Sequence, residues 1–130
     1  MISTSYLISS EDVGRDGYLS ALGRIGAAIG APSLALTGRF FDGVSDIHVR
    51  LAGLEEAGYD EDDLAELENA LQGPARALIV FEYDDGETAI PNLLKIVNEM
   101  GTFWPIVFDT CSGRLYGMNE MAQLIQDGYF

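Results

Sequence analysis

Alternating apolar and polar positions predict strands along much of the chain. The clearest alternation covers residues 46–52, where the apolar side chains are Ile47, Val49 and Leu51. A period of two over this length is typical of a strand with one buried face. Residues 76–83 instead form a nearly continuous apolar run, which is typical of a central strand buried on both faces. Other short apolar segments predict strands over 4–9, 33–41, 105–110 and 115–116.

Apolar residues at helical spacing predict helices as well. They are expected over 17–31, from about Asp60 to Gln72, after Thr88, and from Met118 to Gln126. In the second of these helices the apolar stripe consists of Leu64, Leu67 and Leu71, and Gly73-Pro74 provides a stop signal. The acidic residues at its start complement the helix dipole.

The order of these elements predicts an α+β (α/β) fold. It reads β-α-β-β-α-β-α-β-β-α, which favours a mixed or antiparallel sheet of about five to six strands with about three to four helices packed on it. The length of 130 residues fits a single globular domain over residues 1–130. The apolar share of 48% is enough to build a core and argues against disorder.

The chain is strongly acidic, with a formal net charge of −14. The segment between Leu54 and Pro74 holds eight carboxylates and no Lys or Arg: Glu55, Glu56, Asp60, Glu61, Asp62, Asp63, Glu66 and Glu68. A second acidic group follows at Glu82, Asp84, Asp85 and Glu87. Charge of this sign repels the phosphates of nucleic acids and anionic membrane surfaces. We therefore expect a basic protein partner, and we expect no direct binding to nucleic acid or to a membrane.

Cysteine use and the N-terminal residues predict a cytoplasmic protein. The single cysteine, Cys111, cannot form an intramolecular disulfide bond. Residues 1–6 lack the basic and apolar regions of a signal peptide. No apolar run approaches the roughly 20 residues that a membrane-spanning helix needs.

Motifs for catalysis or ligand binding are incomplete in this sequence. The acidic segment lacks the glycine and the ligand spacing of a calcium-binding EF-hand loop. Cys111 and His48 are the residue types of a cysteine enzyme, but they fall on different predicted elements and nothing in the sequence places them together. The glycines of residues 23–30 match neither the dinucleotide-binding motif nor the P-loop motif, and they are spaced as on a helix face. We therefore expect no enzyme activity, no cofactor and no metal site.

The C-terminal residues combine a strand, a turn, a short strand and a helix. These are Trp104-Pro105-Ile106-Val107-Phe108-Asp109, then Ser112-Gly113-Arg114-Leu115-Tyr116, then the helix expected from Met118. The arrangement resembles the ends of small bacterial immunity proteins of secreted (polymorphic or contact-dependent) toxin systems. The small, acidic, cysteine-poor profile of the chain is also similar to such inhibitors. The resemblance implies a protein that neutralises a cognate toxin, and it assigns no individual site residue.

Charge and resemblance together predict an inhibitor that occludes the active site of a toxin domain and binds it through an acidic face. The expected partner-binding residues are Asp60, Asp62, Asp63, Glu66 and Asp85. Two alternatives remain open. A DNA mimic of the anti-restriction type would carry carboxylates along one face at phosphate-like spacing. A small enzyme or ligand-binding domain would use Cys111 or His48 with nearby carboxylates.

Overall fold

The described part of the chain contains β-strands, α-helices and a 3₁₀ helix. The structure, a computed structural model, describes residues 2–28, 30, 35–41, 46–84, 89–110, 115–117 and 120, without the side chains of residues 2 and 90. In chain order the elements are β1 (Ile2–Ser9), α1 (Arg15–Ala28), β2 (Arg39–Phe41), β3 (Asp46–Ala52), a 3₁₀ helix (Leu54–Ala57), α2 (Glu61–Leu71), β4 (Ala77–Asp84), α3 (Ala89–Met100), β5 (Ile106–Asp109) and β6 (Leu115–Gly117).

The strands form one six-stranded sheet in the order β2-β3-β4-β1-β5-β6. Every pairing in it is antiparallel, so the predicted α+β fold is confirmed. The order of the elements also matches the prediction as far as β6. The helix start expected at Thr88 falls outside the described residues, as does the helix expected from Met118 to Gln126 apart from Glu120.

Strand β4 lies between β1 and β3 and is buried on both faces. Ile79, Phe81 and Tyr83 point to one face, which we call the first face of the sheet. Leu78 and Val80 point to the opposite side, the second face. The prediction of a central strand from a continuous apolar run is therefore confirmed, and a separate hydrophobic cluster forms on each face.

Helices α1 and α3 cover the first face of the sheet. Tyr18, Leu22 and Ile25 of α1 are buried there, as are Leu93 and Val97 of α3. These residues recur at helical spacing, so each helix turns one apolar stripe toward the strands. Burial raises the pKa of the Tyr18 hydroxyl to about 12, because a phenolate in this cluster would lose its hydration.

Helix α2 and the 3₁₀ helix lie against the second face. Leu67 of α2 is buried, and Leu64 and Leu71 are partly buried beside it. Their contacts belong to a cluster with the sheet residues Ile8, Leu78, Val80 and Val107. On β3 the same face carries His48 and Arg50, which are exposed. The apolar part of this face thus lies under α2, and a polar part lies on β3.

The strand predicted over 33–41 is wrong for residues 35–38. Strand β2 covers only Arg39–Phe41, and a turn over 36–38 precedes it. Gly38 has a φ of 80°, in the left-handed region that an extended strand does not use. Residues 33 and 34 lie outside the part of the chain that the structure describes.

Helix α2 is capped at both ends. The Oδ1 atom of Asp60 accepts a hydrogen bond of 2.8 Å from the backbone N–H of Asp63, and the N–H of Asp60 donates to Asp63 Oδ2 at 3.3 Å. This reciprocal pair is a capping box. At the other end Gln72 adopts a left-handed φ of 56°, and the Gly73 N–H donates to the carbonyl of Glu68 at 3.2 Å. The helix bounds agree with the predicted range from Asp60 to Gln72.

Replacing Asp60 with Ala is expected to lower the free energy of unfolding by about 1 kcal/mol, because the N–H of Asp63 loses its acceptor. The matched control is Glu66→Ala, since Glu66 is exposed on the same helix beyond its first turn. The control is expected to change the free energy of unfolding by less than about 0.5 kcal/mol. Urea unfolding followed by circular dichroism measures both variants, and equal losses would contradict the capping role.

Candidate partner-binding surface

Helix α2 and its N-cap residue carry a group of exposed carboxylates, which we call the acidic surface. It consists of Asp60, Glu61, Asp62, Asp63 and Glu66. The leucines of the helix point to the sheet, whereas these five carboxylate residues are exposed. The acidic surface contains all of the predicted partner-binding residues except Asp85, which falls outside the described residues.

The acidic surface has no basic partner within the described ranges of the chain. The salt bridges there join Arg39 and His48 to Asp46, and Arg50 to Glu56 and Glu82. None of them involves the acidic surface, where Asp60 and Asp63 form the hydrogen bonds of the capping box. Its negative charge is therefore directed outward, where it attracts cations over about a Debye length of ~8–10 Å.

Arg50 links the two acidic segments of the sequence. Its Nη1 atom lies 2.5 Å from Glu56 Oε1, and its Nε atom lies 3.3 Å from Glu82 Oε1. The hydrogen bond from Arg50 lowers the pKa of the Glu56 carboxyl, and the same contacts raise the pKa of Arg50. Part of the second acidic group is thus neutralised internally, whereas the acidic surface is not.

A cleft of about 300 Å³ opens between α2 and the second face of the sheet. Its lining residues come from three regions: Asp63, Glu66 and Leu67 from α2; Ala57, Gly58 and Tyr59 from the segment before α2; and Tyr6, Asp109 and Leu115 from the sheet. Two members of the acidic surface therefore border a concave site. Asp60, Glu61 and Asp62 are exposed but do not line it.

The interior of the cleft is ordered by contacts between its own side chains. The hydroxyl of Tyr59 donates a hydrogen bond of 2.7 Å to Asp109 Oδ2. The rings of Tyr6 and Tyr59 lie edge to face, with centroids 6.0 Å apart and planes at 70°. Aromatic pairs in this arrangement are stabilising. The two rings and the Asp109 carboxylate are therefore held in fixed relative positions.

Sequence reasoning did not identify Tyr6, Tyr59 or Asp109 as site residues. Tyr59 directly precedes the N-cap residue Asp60. The residue before an N-cap is often apolar and packs on the first turn of the helix, so Tyr59 could have been predicted to pack there. Tyr6 and Asp109 meet only because β1 and β5 pair with these two residues opposite each other. The register of that pairing is not visible in the sequence.

A separate polar group lies on β2 and β3. Arg39 Nε donates to Asp46 Oδ1 at 3.0 Å, and His48 Nε2 lies 3.5 Å from the same oxygen. The hydrogen bond from Arg39 lowers the pKa of the Asp46 carboxyl. His48 is exposed, as its position in an alternating strand predicts. Cys111 lies outside the described residues, so the structure gives no distance between Cys111 and His48 and does not test the cysteine-enzyme alternative.

Comparisons of the chain with protein-family models, with curated proteins and with solved structures give no match. Within the described residues, no group of three or more His, Cys, Asp or Glu side chains is arranged to hold a metal ion. In the same part of the chain, every helix is too short or too polar to cross a membrane.

Proposed function

We propose that the chain is a protein inhibitor of the immunity type, which binds a basic toxin domain and blocks its active site. The supporting observation is the acidic surface: a helix face of exposed carboxylates with no salt bridge inside the described chain. In this proposal the chain acts in the cytoplasm as a binding protein, with no catalytic step and no cofactor.

Charge and shape have different tasks in such an inhibitor. Exposed carboxylates steer a basic partner toward the surface and raise the association rate, and this effect falls with ionic strength. Exposed charge pairs add little affinity, so tight inhibition also needs an anchor in a well-packed pocket. The cleft lies beside the acidic surface and offers a place for such an anchor.

The test uses the product of the gene that neighbours the one for this chain. Co-expression of the chain is expected to restore the growth of cells that this product arrests. Glu61→Lys combined with Asp62→Lys is expected to weaken binding in calorimetry by about tenfold or more and to flatten its salt dependence. Neither residue caps α2 or lines the cleft.

The matched control is Asp12→Lys combined with Asp16→Lys. Both residues are exposed: Asp12 precedes α1 and Asp16 lies in its first turn, and α1 packs on the opposite face of the sheet. The change in net charge is the same. The control is expected to alter affinity by less than about threefold. Equal weakening by both pairs would remove the acidic surface from the interface. Competition by duplex DNA for the same partner would favour a DNA mimic.

A further inference from the structure

The cleft beside α2 combines negative charge with aromatic rings. Asp63, Glu66 and Asp109 bring carboxylates to it, and Tyr6 and Tyr59 bring rings. No Lys or Arg is among its described lining residues. Carboxylates and the faces of aromatic rings both attract cations, and the attraction grows where water is partly excluded. The cleft is therefore complementary to a positively charged organic group.

The size of the cleft limits what it can hold. About 300 Å³ is at the small end of the range of about 300–1,000 Å³ for pockets that bury drug-sized ligands. One long side chain fits this space better than a complete metabolite does. Among cationic side chains, arginine has a planar guanidinium that stacks on rings and donates several hydrogen bonds to carboxylates at once.

Side chains of the cleft are also held in place before a ligand binds, which favours a specific contact. The hydrogen bond from Tyr59 to Asp109 holds one ring and one carboxylate in place before any ligand arrives. Glu66 forms no salt bridge within the described chain, so an incoming cation displaces no other cation from it. Pre-organisation of this kind lowers the entropic cost of binding.

We propose that the cleft binds one arginine side chain of the basic partner protein. This inference rests on the proposed function and adds the anchor that the acidic surface lacks. The interface then has two parts with separable effects. The acidic surface speeds the encounter, and the arginine in the cleft slows dissociation, because anchors in well-packed pockets carry most of the binding energy.

The test uses a blocked peptide with a single arginine, acetyl-Gly-Arg-Gly-amide, as the probe. Titrated into the full ¹⁵N-labelled chain at millimolar concentration, it is expected to shift the amide resonances of Tyr59, Leu67 and Leu115 and to reach saturation. The same peptide with citrulline, which keeps the shape and lacks the charge, is expected to bind at least about tenfold more weakly.

Two matched variants separate the cleft from the acidic surface. Glu66→Gln removes one charge from the cleft and is expected to weaken binding of the arginine peptide about threefold to tenfold. Asp62→Asn removes one charge from the same helix outside the cleft and is expected to change binding by less than about twofold. Both residues are exposed, so neither change disturbs the core.

Three results would overturn the cleft as an arginine site. They are equal weakening by Glu66→Gln and Asp62→Asn, equal binding of the citrulline peptide, and the same resonance shifts produced by calcium chloride alone. None of these results bears on the proposed function, because the test of that function changes Glu61 and Asp62, which do not line the cleft. Conversely, the proposed function is contradicted if Glu61→Lys combined with Asp62→Lys leaves partner binding unchanged. The result with the arginine peptide can still be interpreted in that case, because it reports on the cleft alone.

Discussion

Replacing Phe81 with Ala is expected to lower the free energy of unfolding by about 3–5 kcal/mol. Phe81 has no exposed surface and lies in β4, opposite Ser5 of β1 and Val49 of β3. Loss of its ring removes the apolar area that it buries and leaves a cavity. Strands paired on both sides of β4 cannot move far enough to fill that cavity, so most of the cost remains.

The Phe81 ring also joins strands that are not neighbours. Its centroid lies 5.9 Å from that of Phe108 on β5, and the ring planes meet at 87°. Strand β1 separates β4 from β5, so the two backbones are about 9–10 Å apart and the rings approach each other over β1. There Ser5 presents a small side chain, whose hydroxyl shares a hydrogen bond of 2.8 Å with the hydroxyl of Tyr83.

Urea unfolding of the Phe81→Ala variant measures this effect. The midpoint is expected to fall while the slope of the transition is unchanged, since the surface exposed on unfolding is nearly the same. Phe41→Ala is the matched control, because Phe41 is 37% exposed and its ring lies 4.9 Å from the Arg39 guanidinium at the sheet edge. Its expected loss is below about 1 kcal/mol. A similarly small loss for Phe81→Ala would contradict the described core.

Much of this fold follows from local sequence pattern. The alternation over 46–52 and the apolar run over 76–83 correspond to β3 and β4, because burial on one face or on two faces imposes those patterns directly. The bounds of α2 follow from Asp60 and Gly73-Pro74, because capping and chain-breaking residues act on their immediate neighbours. Features that depend on one short segment are therefore the ones that the sequence predicts well.

The cleft depends on distant parts of the chain, and pattern alone does not predict it. Tyr59 and Asp109 are fifty positions apart and meet only when α2 is placed on the second face of the sheet. Asp63 and Glu66 were predicted from charge, yet their membership in a concave site follows from that same packing. Charge density along the chain thus indicates a binding helix, whereas the shape of the site requires the strand order β4-β1-β5-β6.

The two faces of the sheet explain why the binding residues lie where they do. The first face is mostly apolar and is covered by α1 and α3. The apolar part of the second face, which includes Ile8, Leu78, Val80 and Val107, is covered by α2 and the 3₁₀ helix. Helix α2 has one side buried and a wide side exposed, which allows many carboxylates without any cost in core packing.

Replacing Gly38 with Ala is expected to lower the free energy of unfolding by about 3–5 kcal/mol. The apolar pattern of residues 33–41 predicts a strand and does not reveal that Gly38 lies in a turn. Gly38 has a φ of 80°, which disfavours any side chain, and an added Cβ would lie 2.3 Å from the carbonyl oxygen of Val49. The backbone cannot simply withdraw, because the Val49 N–H donates to the Gly38 carbonyl at 2.7 Å and the Gly38 N–H donates to that of Ala35 at 2.8 Å.

Gly58→Ala is the matched control for this prediction. Gly58 has a similar φ of 70°, but nothing lies within 4 Å of an added Cβ, so this variant reports the cost of the left-handed backbone alone. That cost is expected to be about 1–2 kcal/mol. Urea unfolding of both variants gives the difference, which measures the close approach of Gly38 to β3. Equal losses would mean that the turn before β2 relaxes away from Val49, because the steric part of the cost would then be absent.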